Sequence, residues 1–164
     1  MPEEITIESV ETAWGPMQLA TTARGVLLIE RGDDPGPLLA EAQRRLPGSE
    51  FHGSAADSGR WLAAWIAGER RDLPPVDLRG LSPFDAAVYV AVREVGWGER
   101  ATYADIAIAA GRPGAARAVG GAMARCPLFP AVPCHRVVRA ADGWSGWGAS
   151  GDARKRQLLD REAR

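Results

Sequence analysis

Strand-like patterning in this chain stops at one place. Residues 73–83, LPPVDLRGLSP, carry three Pro and one Gly, a composition that neither a helix interior nor a central strand accommodates. The stretch therefore marks a boundary or crossover. A chain of 164 residues fits one domain or two small ones, and the break predicts two, residues 1–76 and 77–164.

The first thirty residues read as two strands. ITIESVET alternates apolar and polar positions, Trp14-Gly15-Pro16 makes a turn, and MQLATTARGVLLIERG resumes the alternation around Arg24-Gly25. Period-two patterning bounded by Gly and Pro is a hairpin signal. Leu38 to Leu46 forms a short helix stopped by Pro47-Gly48. Trp61, Leu62, Trp65 and Ile66 make a helical apolar stripe, which assigns both Trp to the core. Beyond the break the signals are helical. Ser82 caps a helix with Pro83 at its first position, and Gly96-Trp97-Gly98 ends it. Thr102 caps a helix over Tyr103–Ala110, and Ala115 to Arg125 forms another after Gly111-Arg112-Pro113-Gly114. Two short helices around a glycine-containing turn predict a helix-turn-helix. The fold class is α+β.

Charge is divided unevenly between the halves. Residues 1–99 hold nine Arg against sixteen carboxylates, a balance of −7; residues 100–164 hold eleven Lys or Arg against five, or +6. The basic half either meets a polyanion or presents a solvated face. The segment AARAVGGAMAR lacks the side chains that read base edges in the major groove. Its small residues serve either tight helix packing or close approach to a narrow groove, with Arg117 and Arg125 its long polar side chains.

No apolar stretch approaches the ~20 residues that span a bilayer, and the start, MPEEITIESV, is acidic where a secretory signal is basic and then apolar. A cytoplasmic protein is expected, without a membrane partner. The soft ligands are Cys126, Cys134, His52 and His135. No pair has zinc-ligand spacing, so neither a metal nor another cofactor is expected. A structural disulfide is not expected in a chain of this class either.

The run Val132-Pro133-Cys134-His135-Arg136-Val137-Val138 sets a thiol beside an imidazole and a guanidinium in an apolar frame. Nearby positive charge or a base shifts a thiol toward thiolate, its nucleophilic form. Adjacent residues of an extended segment point opposite ways, so a buried structural cysteine is the alternative.

VPCHRVV resembles the active-site signature of the O6-alkylguanine-DNA alkyltransferases, the methylated-DNA–protein-cysteine methyltransferase family. GERATYADIAIAAGRPGAARAVGGAM is similar to that family's helix-turn-helix, and RKRQLLDRE to its closing helix. SPFDAAVYVAVREVGWG resembles the helix before the DNA-binding unit, and AWGPMQLATTARGVLLI, more loosely, the N-terminal hairpin. The resemblance implies a ribonuclease-H-like α/β N-terminal domain. It also implies a helical, winged-helix-like C-terminal domain that binds DNA and accepts the alkyl group. Such a protein acts as a monomer on the minor groove of double-stranded DNA, turns the alkylated guanine out of the stack and takes the alkyl group irreversibly. A buried O6 adduct is beyond a thiolate's reach, so extrusion is required.

By position, Cys134 matches the nucleophile, His135 the base acting through a water, and Glu162 the acid that orients the imidazole. Arg136 matches a supporting arginine. Arg117 matches the finger inserted into DNA, on a helix whose Ala115, Ala116, Gly120 and Arg125 face the duplex. Tyr103 matches the tyrosine that bonds the flipped base, and the Val137 backbone accepts from its amino group. Trp147, Gly148 and Ala149 complete the expected base pocket.

The sequence departs from the family twice. Cys126-Pro127 stands where an Asn-Pro is usual. In the loop after the cysteine, Gly148 (or Trp147, if the loop shifts by one) stands where the family has a tyrosine. Gly148 there implies a roomier pocket and Trp147 a narrower one. The second functional reading is a non-enzymatic alkyltransferase-like lesion binder that recruits other repair proteins. Such relatives usually replace the cysteine that this chain keeps at 134.

Overall fold

The computed structural model describes residues 1–53, 57–140 and 152–164. The chain forms two compact units: Met1–Leu81 with Pro127–Ala131, and Ser82–Cys126 with Val132–Arg164.

In the first unit, β1 (Glu4–Thr12), β2 (Gly15–Thr22) and β3 (Gly25–Arg31) form an antiparallel meander, followed by α1 (Gly36–Arg45), β4 (Glu50–Gly53) and α2 (Asp57–Ile66). The sheet order is β3-β2-β1-β4, with β4 parallel to β1 through pairs such as Ile5↔Phe51. The two strands expected in the first thirty residues are thus three. Gly25 makes the extra turn, because its φ of +137° suits glycine and an added Cβ would lie 2.4 Å from the Pro75 carbonyl oxygen. The run reads as a single strand because Arg24-Gly25 is the sole turn signal between Met17 and Arg31. Ile5, Ala20, Leu27, Leu28, Leu38 and Ala42 form the core between sheet and α1.

Trp61 and Trp65 are buried, as their spacing predicts. Trp65 meets the edge of Phe129 at 6.3 Å, and Trp14 stacks on the same ring at 5.9 Å. The Ile29 amide donates to the Pro127 carbonyl at 2.9 Å. These contacts hold Pro127–Ala131 in the first unit.

The units part after Leu81, five residues beyond the expected boundary. Asp77 donates its amide to Val26, whose own amide donates to Pro75. Buried Arg45 donates from Nη1 to the Leu27 carbonyl, from Nη2 to Asp77 and from Nε to Arg79. An unpaired buried guanidinium would be costly, so Arg45 ties the Asp77 and Arg79 carbonyls to the first unit.

The second unit comprises α3 (Pro83–Arg93), β5 (Ala101–Thr102), α4 (Tyr103–Ala109), α5 (Ala116–Ala124), a 3₁₀ turn (Cys134–Arg136), β6 (Val137–Val138) and α6 (Asp152–Glu162). Ser82 Oγ accepts from the Asp85 amide, and Thr102 and Asp105 form a reciprocal capping box. The parallel pair β5–β6 (Ala101↔Val137, Thr102↔Val138) was not expected, because two-residue strands carry no period. It sets the start of α4 beside the residues that follow the His-Arg dipeptide.

Candidate active site

Cys134, His135 and Arg136 lie on a single 3₁₀ turn rather than an extended segment. All three are buried. On this turn His135 and Arg136 both reach one carboxylate, which adjacent residues of an extended segment would not do.

The centre of the cluster is the Glu162 carboxylate, supplied by the last turn of α6. Its Oε2 lies 2.7 Å from His135 Nε2, and Oε1 accepts from Arg136 Nε at 2.8 Å. Arg136 Nη2 reaches Oε2 at 3.0 Å and Nη1 donates to the Val95 carbonyl at 2.8 Å. Burial alone would raise the Glu162 carboxyl, but the His135 and Arg136 bonds more than offset it and hold it at about 2. Burial lowers the pKa of His135, and Glu162 offsets only part of that. The imidazole is therefore neutral at pH 7. A neutral ring that gives its Nε2 proton to a carboxylate keeps its lone pair on Nδ1.

Two aromatic and glycine contacts fix this arrangement. The Trp97 ring lies under the guanidinium groups of Arg136 at 5.8 Å and Arg161 at 5.3 Å. Gly98 has a φ of +79°, and a Cβ there would come within 3.0 Å of the Glu162 carbonyl oxygen, so the turn passes close over the end of α6.

Burial raises the Cys134 thiol well above its ordinary value, the neighbouring Cys126 thiol raises it further, and Lys155 opposes both. The resting pair is thus a thiol beside a neutral imidazole. Lys155 is fully buried and donates to the Val137 carbonyl at 2.8 Å. No sequence signal singles out Lys155, because a lysine near the start of a polar helix reads as solvated.

Tyr103 opens α4 and is half-buried, its ring 4.0 Å from the position of a Cβ on Gly120. Arg117 is exposed in the first turn of α5, and Ala115 and Ala116 are half-buried. Arg125, expected to face the duplex, has an exposed side chain. Its guanidinium is engaged bidentately with Asp85 (Nη2 at 2.7 Å, Nε at 3.0 Å), which joins the C-terminus of α5 to α3. Trp147, Gly148 and Ala149 lie outside the described residues.

A family model described as the 6-O-methylguanine DNA methyltransferase DNA-binding domain matches residues 83–164. The chain belongs to the 6-O-methylguanine DNA methyltransferase family. It is 38% identical over 155 residues to the bifunctional transcriptional activator/DNA repair enzyme Ada of Escherichia coli, covering 91% of this chain and 43% of that one. Identity to the inducible methylated-DNA–protein-cysteine methyltransferase of Bacillus subtilis is 32% over 151 residues, covering 89% of this chain and 83% of that one. The crystal structure of Mycobacterium tuberculosis OGT in complex with DNA superposes with a TM-score of 0.71 at 30% identity, over 96% of this chain and 92% of that one. The chain thus spans less than half the length of Ada. It shares the family's mixed α+β fold.

Proposed function

We propose that the protein repairs DNA by moving the alkyl group of O6-alkylguanine to its own Cys134, once per molecule. The observation that carries this reading is the buried Cys134–His135–Glu162 arrangement, with its 2.7 Å carboxylate–imidazole bond. It follows the logic of nucleophile, base and orienter. His135 Nδ1 takes the Cys134 proton through a bridging water, and the sulfur attacks the alkyl carbon. The S–C bond forms as the C–O6 bond breaks, the electron pair stays on the guanine, and the guanine recovers a proton as it leaves. Arg136 keeps the Glu162 carboxylate ionised and pointed at the ring.

The DNA-binding reading rests on α5. A Cβ built on Gly120 meets nothing closer than 4.0 Å, and one on Gly121 meets only the end of the Arg125 side chain at 3.0 Å. Internal packing therefore does not require glycine at Gly120, whereas at Gly121 the guanidinium held by Asp85 leaves little room. Close approach to an outside surface does require it at Gly120, and the minor groove of double-stranded DNA suits a smooth helix face with Arg117 as the inserted side chain. Tyr103 and the Val137 backbone then hold the extruded base.

The sheet order, with β4 parallel to β1 after a three-strand meander, favours a ribonuclease-H-like first domain. The α4–α5 pair flanked by β5–β6 favours a winged-helix-like second one. We assign the protein to the cytoplasm as a monomer; no described helix is long and apolar enough to cross a membrane. The retained Cys134 favours alkyl transfer over lesion binding alone. Intact-mass measurement after incubation with O6-methylguanine duplex tests the reading. The protein gains about 14 Da on Cys134, once, and Cys134→Ala gains nothing. Repeated turnover, or methylation of Cys126 instead, overturns it.

A further inference from the structure

The segment between α3 and β5 meets the buried cluster at three points. The Val95 carbonyl accepts from Arg136 Nη1 at 2.8 Å. Two residues on, the Trp97 ring lies under the Arg136 guanidinium, its centre 5.8 Å away, and under that of Arg161 at 5.3 Å. Gly98 then passes over the end of α6, where a Cβ would lie 3.0 Å from the Glu162 carbonyl oxygen. Arg136 is buried, with Nε and Nη2 on the Glu162 carboxylate and Nη1 on Val95. Its hydrogen bonds engage the nitrogens, and the indole face supplies an apolar, electron-rich cover for the same charge.

We propose that Trp97 is a positioning residue for alkyl transfer, holding Arg136 so that the Glu162 carboxylate keeps one oxygen on His135 Nε2. That oxygen, Oε2, is shared: it lies 2.7 Å from His135 Nε2 and 3.0 Å from Arg136 Nη2. Two parallel N–H bonds from a guanidinium set the plane of a carboxylate, so a rotation of Arg136 carries away the oxygen that fixes the imidazole. The ring opposes that rotation by attracting the guanidinium and by keeping water from it, and the Arg136–Glu162 attraction is stronger in a water-poor site. Arg161 adds a second reason. It adjoins Glu162 in sequence and carries the same charge as Arg136; over the indole it is held by a π face rather than by the carboxylate. The effect of Trp97 thus passes through Arg136 and Glu162 to the tautomer of His135, whose Nδ1 lone pair takes the thiol proton. Its bearing on alkyl transfer rests on the function proposed above; its hold on Arg136 does not.

The test uses the full chain and a probe of the imidazole itself. The chain has two histidines, His135 and the exposed His52, so ¹⁵N-histidine labelling reports the buried ring against an internal standard. In the wild type at neutral pH, His135 is expected to show a protonated Nε2 and an unprotonated Nδ1. Trp97→Leu removes the π face and keeps an apolar side chain. It is expected to mix the two tautomers of His135, to leave His52 unchanged, and to slow single-turnover alkyl transfer at saturating O6-methylguanine duplex about tenfold. Affinity for undamaged duplex is expected to stay the same. Trp97→Phe, which keeps a ring, is expected to keep the wild-type tautomer and most of the rate. If Trp97→Leu does not fold, Trp97→Met, whose side chain fills irregular gaps, makes the same comparison. An apolar variant that keeps the wild-type His135 signals overturns the proposal, whatever its rate, since a merely structural role predicts that result. A changed tautomer at an unchanged rate removes Trp97 from the reaction, and equal losses in the Phe and Leu variants overturn the role of the π face. If the wild type never takes an alkyl group, the function reading fails, while the nitrogen signals still decide what the ring does.

Discussion

Glu162 serves two buried partners at once, and removing its charge separates their effects. Glu162→Gln leaves the Arg136 guanidinium without its counter-charge in a site where Glu162 is only 3% exposed. Losing one member of such a pair costs about 3–5 kcal/mol, read as a lowered urea midpoint. Alkyl transfer is expected to fall by about 10²–10⁴, since the amide no longer fixes the basic tautomer of His135. A variant that keeps the wild-type rate removes Glu162 from the mechanism.

The same carboxylate predicts behaviour in acid. Its folded pKa of about 2 lies below the ordinary value of about 4.3 for an unfolded glutamate. Asp77 resembles it: burial would raise its carboxyl, but Arg79 and Thr22 hold it at about 2. A depressed folded pKa stabilises the native state above the unfolded value, and that stabilisation is lost as pH falls toward 2. Urea midpoints are therefore expected to decline modestly from pH 7 to 5, as the unfolded state protonates His135 while the buried imidazole stays neutral, and to drop steeply below about 4.5. In Glu162→Gln that drop is smaller. Equal drops in both proteins would show that Glu162 titrates normally.

At the scale of elements, α5 sets stability against binding. Gly120 lies inside a helix with room for a methyl group, so Gly120→Ala is expected to stabilise the fold by about 0.5–1 kcal/mol. The same methyl stands on the surface assigned to DNA, so duplex affinity is expected to fall. Thermal unfolding and a binding titration read the two signs. If both rise, the helix does not approach DNA at Gly120.

The legible elements were those whose signals are local. Ser82-Pro83 and Thr102 with Asp105 announce helix starts by their own chemistry, and the caps appear where the sequence placed them. β4, β5 and β6 are short and defined by partners distant in sequence, so no window of residues reveals them. At the site, Cys134, His135 and Glu162 came from resemblance to a family motif, while their geometry came from the 3₁₀ turn, which adjacency alone does not disclose. The place of Lys155 was invisible because it depends on which face of α6 is buried.

For the molecule as a whole, the separation of −7 and +6 between residues 1–99 and 100–164 places the cationic charge on the side of the chain assigned to the duplex. Affinity for undamaged DNA is expected to be weakly dependent on sequence and to fall with rising salt. Arg117→Ala is expected to slow repair of O6-methylguanine in duplex far more than reaction with the free base, because only the duplex requires extrusion. Equal losses on both substrates would refute the inserted role of Arg117.

The return of Pro127–Ala131 to the first unit bears on how such proteins can be recombined. Phe129 belongs to the same aromatic group as Trp14 and Trp65, yet it lies within residues 83–164, the span that the family model matches. The heritable module and the folding module are therefore different objects. A chimera spliced at the Pro-rich break would bring a foreign ring into the Trp pair, or none. Exchanges that carry Pro127–Ala131 with the first eighty-one residues keep that group intact, so this short passage, rather than the conspicuous prolines, sets the limits on swapping parts.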